Sequence, residues 1–170
     1  AWMRKEHNPY NERHQNRRAW IPKGVDVPAA GKTLLFAGCT GAYRRLEMLQ
    51  PLLRLAQTTR TSFAVSPDEW CCGSIALRTG DLPLASEVAQ HNDQLFRQMR
   101  ARTLITNCAG CYRTLKTEYP SLVEGFDVEV VHATAWLDNL VQKGRLSFKP
   151  LNATATYHDP CHLGRHSRIY

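Results

Sequence analysis

Six cysteines, Cys39, Cys71, Cys72, Cys108, Cys111 and Cys161, are the residues of this 170-residue chain best placed by type and spacing to do chemistry. Cys71 and Cys72 are adjacent, in Glu69-Trp70-Cys71-Cys72-Gly73, and Cys108-Ala109-Gly110-Cys111 is a CxxC pair. Neighbouring Cα atoms across a trans peptide lie about 3.8 Å apart, short of the roughly 4.4–6.8 Å of a relaxed disulfide, so the vicinal pair is poorly built to bridge itself. A lone cysteine is usually a small buried hydrophobe. Five of them beside glycines and turns point instead to metal or redox work.

Three chemistries remain open at this level. Zinc takes four N or S ligands, typically from two CxxC-like knuckles; here there is one knuckle and one sulfur too many. That reading gives a zinc-stabilised structural or interaction domain. Dithiol/disulfide exchange through Cys108 and Cys111 uses a helix N-terminus to lower a thiol pKa, but leaves Cys39, Cys71 and Cys72 without a role. An iron–sulfur cluster accommodates soft thiolates in excess of four, although the ordinary ferredoxin spacing is absent.

These side chains need a scaffold that brings distant positions together. The pattern predicts strands at Thr33–Ala37, Ser62–Val65, Thr103–Thr106, Val128–Val131 and Ala153–Tyr157. Helical spacing covers 43–58, with Pro51 as a kink or restart, and 84–101, where Leu84, Val88, Leu95 and Met99 form a stripe. Further helices are expected at Tyr112–Tyr119, ending at Pro120, and at 134–143, stopped by Gly144. Alternating strands and helices of these lengths indicate an α/β fold of Rossmann-like type, a parallel sheet flanked by helices. Each cysteine then falls in a loop after a strand, and those loops open together at the carboxyl edge of the sheet.

Length and composition fit one ordinary domain: 43% of residues are hydrophobic, 22% are charged, and no apolar run approaches a membrane span. The formal net charge of +7 is concentrated in the first 24 residues, where six basic side chains face two acidic ones. With Trp2, Tyr10 and Trp20 among them, residues 1–30 read as a basic, aromatic linker or docking arm rather than a nucleic-acid-binding tail. No nucleic-acid partner and no transmembrane segment are expected. The N-terminus has no apolar signal region, and six cysteines in such a chain argue for a reducing compartment rather than a disulfide framework.

The spacing Cys39-x31-Cys71-Cys72-x35-Cys108-x2-Cys111 resembles the CCG cysteine-rich domain family. Trp70-Cys71-Cys72-Gly73 followed by Leu77-Arg78-Thr79-Gly80-Asp81 is similar to that family's wording, and Tyr157-His158-Asp159-Pro160-Cys161-His162-Leu163-Gly164-Arg165 resembles the opening of a second repeat. Members include the catalytic subunit of heterodisulfide reductases and iron–sulfur subunits linked to glycolate, lactate and anaerobic glycerol-3-phosphate oxidation. The resemblance implies a non-cubane [4Fe-4S] cluster held by Cys39, Cys71, Cys72, Cys108 and Cys111, with Cys161 as first ligand of a second, incomplete site. It implies an electron-transfer module of an oxidoreductase, cytoplasmic or at the cytoplasmic face of a membrane complex. Its partners would be ferredoxin-type and flavin- or quinone-linked redox subunits or domains, with a small-molecule disulfide as substrate of the intact protein. Domain bounds follow: an arm at 1–30, a first CCG domain at 31–150, and the start of a truncated second repeat at 151–170. The chain then reads as the middle of a larger protein.

Other candidates are weaker. His132 follows a strand and reads as a satisfied loop histidine. His158, His162 and His166 flank Cys161 without completing a zinc pattern. Arg78 and Arg113 lie just past cysteines and could offset cluster charge. Gly38, Gly41, Gly73 and Gly110 suggest positive φ or room for cluster sulfides. No phosphate-cradling glycine motif is present, so a nucleotide cofactor is not indicated.

Overall fold

A computed structural model describes residues 2–170. After a short helix α1 (Trp2–Glu6), the chain forms β1 (Thr33–Leu35), α2 (Gly38–Tyr43), α3 (Gln50–Thr58), α4 (Ser74–Thr79) and α5 (Leu82–Gln98). β2 (Thr103–Thr106), α6 (Ala109–Arg113), α7 (Tyr119–Leu122), β3 (Glu129–His132), α8 (Ala133–Gln142) and α9 (Gly164–Ser167) follow. The three strands are parallel in the order β1-β2-β3. The expected α/β architecture, a parallel sheet flanked by helices, is therefore the observed one.

The two-residue period of the strands builds a core on each face of the sheet. Leu34, Leu104 and Val130 lie in register across the three strands and pack with Phe96, Leu115 and Tyr119. Leu35 and Ile105, one step along, turn the other way and pack with Leu52, Leu53 and Ala133 of α3 and α8. A strand buried on both faces reads as continuous apolar sequence, as Leu34-Leu35-Phe36-Ala37 does.

The segment expected as a second strand, Ser62–Val65, is reduced to one bridge. Ala64 pairs with Leu34 in parallel, exchanging hydrogen bonds with Thr33 and Leu35 at 2.9 Å. It lies on the side of β1 away from β2, so the connections reverse direction between β1 and β2. Ligand crevices in open parallel sheets form at such a switch, outside the carboxyl ends of the strands.

Prolines divide the helices. Across the expected helix at 43–58 the chain forms a 3-10 turn at Leu46–Met48 and then α3, which restarts, as expected, with Pro51 in its first turn, where a missing N–H costs nothing. Pro83 likewise opens α5, whose N-terminus is capped by the Asp81 carboxylate accepting from Leu84 N at 3.1 Å. The chain meets Pro120 by widening into a π-helical turn at Thr114–Glu118, so that helix continues to Leu122. Gly144, at φ +65°, ends α8 as expected.

The expected fifth strand at Ala153–Tyr157 does not form; these residues are exposed and irregular. They have β-type composition but lie beside no strand edge, and a strand without a partner leaves its backbone to water. Cys161 consequently does not follow a strand. No helix among the described residues is long and apolar enough to cross a membrane.

Candidate metal centre

Cys39, Cys71, Cys72, Cys108 and Cys111 line one pocket of about 190 Å³ at the carboxyl edge of the sheet. They arrive through three local devices. Cys39 sits at the start of α2 directly after β1. Cys71 and Cys72 end the loop that follows the Ala64 bridge, just before α4. Cys108 caps α6, its sulfur accepting from Cys111 N at 3.4 Å, and Cys111 lies one turn on. Cys108 is partly buried and the other four are buried, all as free thiols. Pro9, Tyr10, Ile75 and Arg78 complete the rim.

Two glycines make the approach possible for different reasons. Gly38 has φ +67°, and a Cβ there would stand 3.1 Å from Cys111 Sγ, so both the left-handed backbone and the tight approach to the CxxC loop favour glycine. Gly73 has φ +87°, but its missing Cβ faces Val88 Cγ2 at 2.8 Å. Its positive φ is the one the sequence suggested, and the missing Cβ allows close packing on α5.

The thiols interact in a chain from Cys39 to Cys71, Cys72, Cys111 and Cys108. Ionisation is unequal along it. Hydrogen bonding from the Cys111 thiol, helped by the N–H groups of Cys111 and Gly110, lowers Cys108 to about 6. Cys72 is lowered by donation from Cys111 and Cys71, and Cys111 is raised in turn by Cys108 and Cys72. Cys39 is raised by its bond to Cys71 and by burial. At Cys71 the bond with Cys39 pulls downward, but Cys72 and burial outweigh it and push the thiol up to about 12. The five thiols cannot all ionise in one buried pocket by themselves; a cationic metal core would supply the charge that permits it. Among the described residues, no set of three or more His, Cys, Asp or Glu side chains closes on a single metal position.

Polar residues that sequence reasoning did not single out hold this arrangement. Arg17 and Glu69 form an ion pair in which both side chains are 1% exposed. The Glu69 carboxylate also accepts from Ala37 N at 2.8 Å and Gly38 N at 2.9 Å, fixing the turn that leads into Cys39. Arg17 Nη1 donates to Cys39 Sγ at 3.3 Å. Asn92, fully buried on α5, accepts from Trp70 N and donates to the Cys71 carbonyl, both at 3.0 Å. Cys71 N donates to the His7 carbonyl at 2.9 Å, and Trp70 is stacked between the rings of His7 and His91. The N-terminal arm is therefore packed onto the site: Asn8, Arg17 and Trp20 are buried, and Tyr10 OH meets Thr40 Oγ1 at 2.8 Å. The available signal was the arm's aromatic content, together with one acid, Glu69, two positions before the vicinal pair.

The lesser candidates fall outside the pocket or at its rim. Arg78 lines the rim and, like Arg113, pairs with Glu118. His132 caps α8, with its Nδ1 2.8 Å from Thr134 Oγ1. Cys161 is exposed and does not line the pocket, and the rings of His162 and His166 lie 5.7 Å apart beside it.

Fold and site together define a class: a parallel α/β domain that gathers cysteines from three separate loops at its switch point. Residues 33–116 match the model of the CCG cysteine-rich domain, and this part of the chain belongs to that family. The chain is 37% identical over 170 residues to a subunit of the dihydromethanophenazine:CoB--CoM heterodisulfide reductase of Methanosarcina barkeri, an alignment covering 96% of this chain and 42% of that protein. It is 34% identical over 181 residues to the EtfAB:quinone oxidoreductase of Syntrophomonas wolfei, covering 99% of this chain and 25% of the relative. It is 35% identical over 130 residues to a subunit of the fumarate reductase (CoM/CoB) of Methanothermobacter marburgensis, covering 76% and 25%. The chain thus spans less than half the length of these relatives. No solved structure matches it.

Proposed function

We propose that this chain is an iron–sulfur electron-transfer module of an oxidoreductase complex. In this reading Cys39, Cys71, Cys72, Cys108 and Cys111 ligate a [4Fe-4S] cluster of non-cubane type. The observation that carries it is the convergence of five cysteines on one pocket, more sulfurs than a single tetrahedral ion takes. The heterodisulfide reductase and quinone oxidoreductase names of relatives agree with a redox role. When bound, the cluster would supply one-electron transfer.

The chain's own residues have distinct tasks. The Glu69 carboxylate holds the Cys39 turn through two backbone N–H groups, and Asn92 holds the vicinal pair through the Cys71 carbonyl. Cys108 and Cys72, whose pKa values are pushed down by donation from Cys111, would be the first thiolates offered to a metal. Other redox subunits or domains are the partners of this reading, with a small-molecule disulfide as substrate of the parent protein, in the cytoplasm or at the cytoplasmic face of a membrane complex. Cys161 would serve a second site that needs sulfurs from elsewhere.

The test is iron and acid-labile sulfide analysis with EPR on anaerobically prepared protein. About four irons and four sulfides per chain are expected. One zinc without sulfide replaces this reading with a zinc-stabilised interaction domain. A metal-free protein whose activity needs only Cys108 and Cys111 replaces it with dithiol exchange.

A further inference from the structure

Arg17 is a buried charge that ligation and folding do not fully account for. Its side chain is 1% exposed, although it comes from an arm otherwise rich in solvated basic residues. Taking a guanidinium out of water costs several kcal/mol in effect, so its place must be compensated. Glu69 provides part of that compensation, the Trp70 carbonyl at 3.4 Å another part, and the Tyr43 ring, 5.3 Å from the guanidinium carbon, a third. An arm that needed only an anchor could end there. The guanidinium instead extends Nη1 to the sulfur of Cys39, 3.3 Å away, across 22 positions of sequence. Cys39 is itself buried and lines the pocket. Among the described hydrogen bonds, this is the one in which a cationic side chain donates to a pocket sulfur.

We propose that Arg17 is a positioning residue that sets the redox poise of the centre, its guanidinium stabilising the electron-rich state through the Cys39 sulfur. The proposal rests on the iron–sulfur reading. Hydrogen bonds to cluster sulfurs and nearby charge are among the main determinants of a cluster's reduction potential. When the centre accepts one electron, its charge becomes more negative by one unit while no bond is made or broken. A donor N–H and a fixed positive charge at a ligand sulfur then favour the reduced form, so Arg17 raises the potential. The arm that precedes the domain thereby becomes part of the redox site. Loss of arm docking would lower the potential without removing a ligand.

The experiment is a mediator-dye redox titration, read by EPR, of anaerobically prepared wild type, Arg17→Gln and Arg17→Lys, each with its iron and sulfide content measured. Arg17→Gln is expected to lower the reduced-to-oxidised ratio at a fixed potential about tenfold, equivalent to a midpoint about 59 mV more negative for a one-electron couple. Arg17→Lys keeps the charge but not the forked donor geometry, and is expected to fall between the other two. A purely structural role would change cluster content in both variants and leave the midpoint of the remaining clusters at the wild-type value; that result overturns the proposal. If Arg17→Gln does not assemble a centre, a wild-type midpoint in Arg17→Lys overturns the proposal and an intermediate fall supports it. Wild-type protein without iron and sulfide overturns the iron–sulfur reading, and the proposal with it. A wild-type cluster with an unchanged midpoint in Arg17→Gln overturns the proposal alone.

Discussion

The Asn92 side chain donates to the carbonyl of Cys71 at 3.0 Å, joining the middle of α5 to the first of the vicinal cysteines. Asn92 also accepts from Trp70 N and donates to the Tyr119 hydroxyl, all without exposure to solvent. Each buried polar group left unpaired costs about 1–3 kcal/mol. Asn92→Leu is therefore expected to destabilise the fold by about 2–4 kcal/mol and to lower metal content. Urea unfolding followed by circular dichroism measures the first effect, and an unchanged midpoint would remove Asn92 from the role assigned to it here.

Cys71→Ser and Cys72→Ser are each expected to reduce iron and sulfide per chain at least about twofold, because serine offers a hard oxygen where a soft thiolate is needed. Cys161→Ser, at an exposed position outside the pocket, is expected to leave both at the wild-type level. Metal and sulfide analysis of the three variants, prepared side by side without oxygen, is the measurement. Full content in both vicinal variants contradicts the assignment of that pair.

Gly38→Ala places a Cβ 3.1 Å from Cys111 Sγ at a residue with φ +67°. The left-handed conformation alone costs a non-glycine residue about 1–2 kcal/mol. The displaced sulfur belongs to the pocket, so a loss of cluster content beyond that stability change is expected. Thermal unfolding and metal analysis on the same preparation separate the two effects; a cluster at wild-type content would show that the close approach is not required.

Acid is expected to weaken the fold through imidazoles that are buried or partly buried. Burial lowers His7, His14 and His132 from the ordinary 6.5. For such a group the unfolded chain takes up its proton first as the pH falls. The stability it contributes is thus present above about 6.5 and lost as the pH drops toward the folded value. The urea midpoint should be lower at about pH 5.5 than at about pH 7.5. His132→Asn keeps an acceptor for the α8 cap and is expected to reduce that difference. A midpoint independent of pH in the wild type would contradict the assignment.

Much of the scaffold was legible because its signals are local. The two-residue alternation of Leu34 with Leu35 and of Leu104 with Ile105 places side chains on opposite faces whatever surrounds them. The stripe on α5 and the glycine after α8 are equally local. Where local signals failed, a partner was missing or a proline intervened. Ala153–Tyr157 has strand-like composition but no neighbouring strand, and Ser62–Val65 keeps a single bridge. Pro51 restarts its helix, as its position suggested, whereas the helix expected to stop at Pro120 runs on to Leu122 through a π-helical turn.

The amino-acid sequence by itself determined the cysteine set, the three loops that carry it and the parallel α/β layering, since each depends on residue type and short-range spacing. Only the tertiary structure decided that β1 lies beside β2 with Ala64 on the far side, which turns three loops into one pocket. It also decided which polar groups go inside. Arg17 meets Cys39 and Glu69 across 22 and 52 positions, and Asn92 meets Cys71 across 21. A buried charge or amide is stable only where its partners are already in place, and that depends on how distant segments pack rather than on any periodicity along the chain.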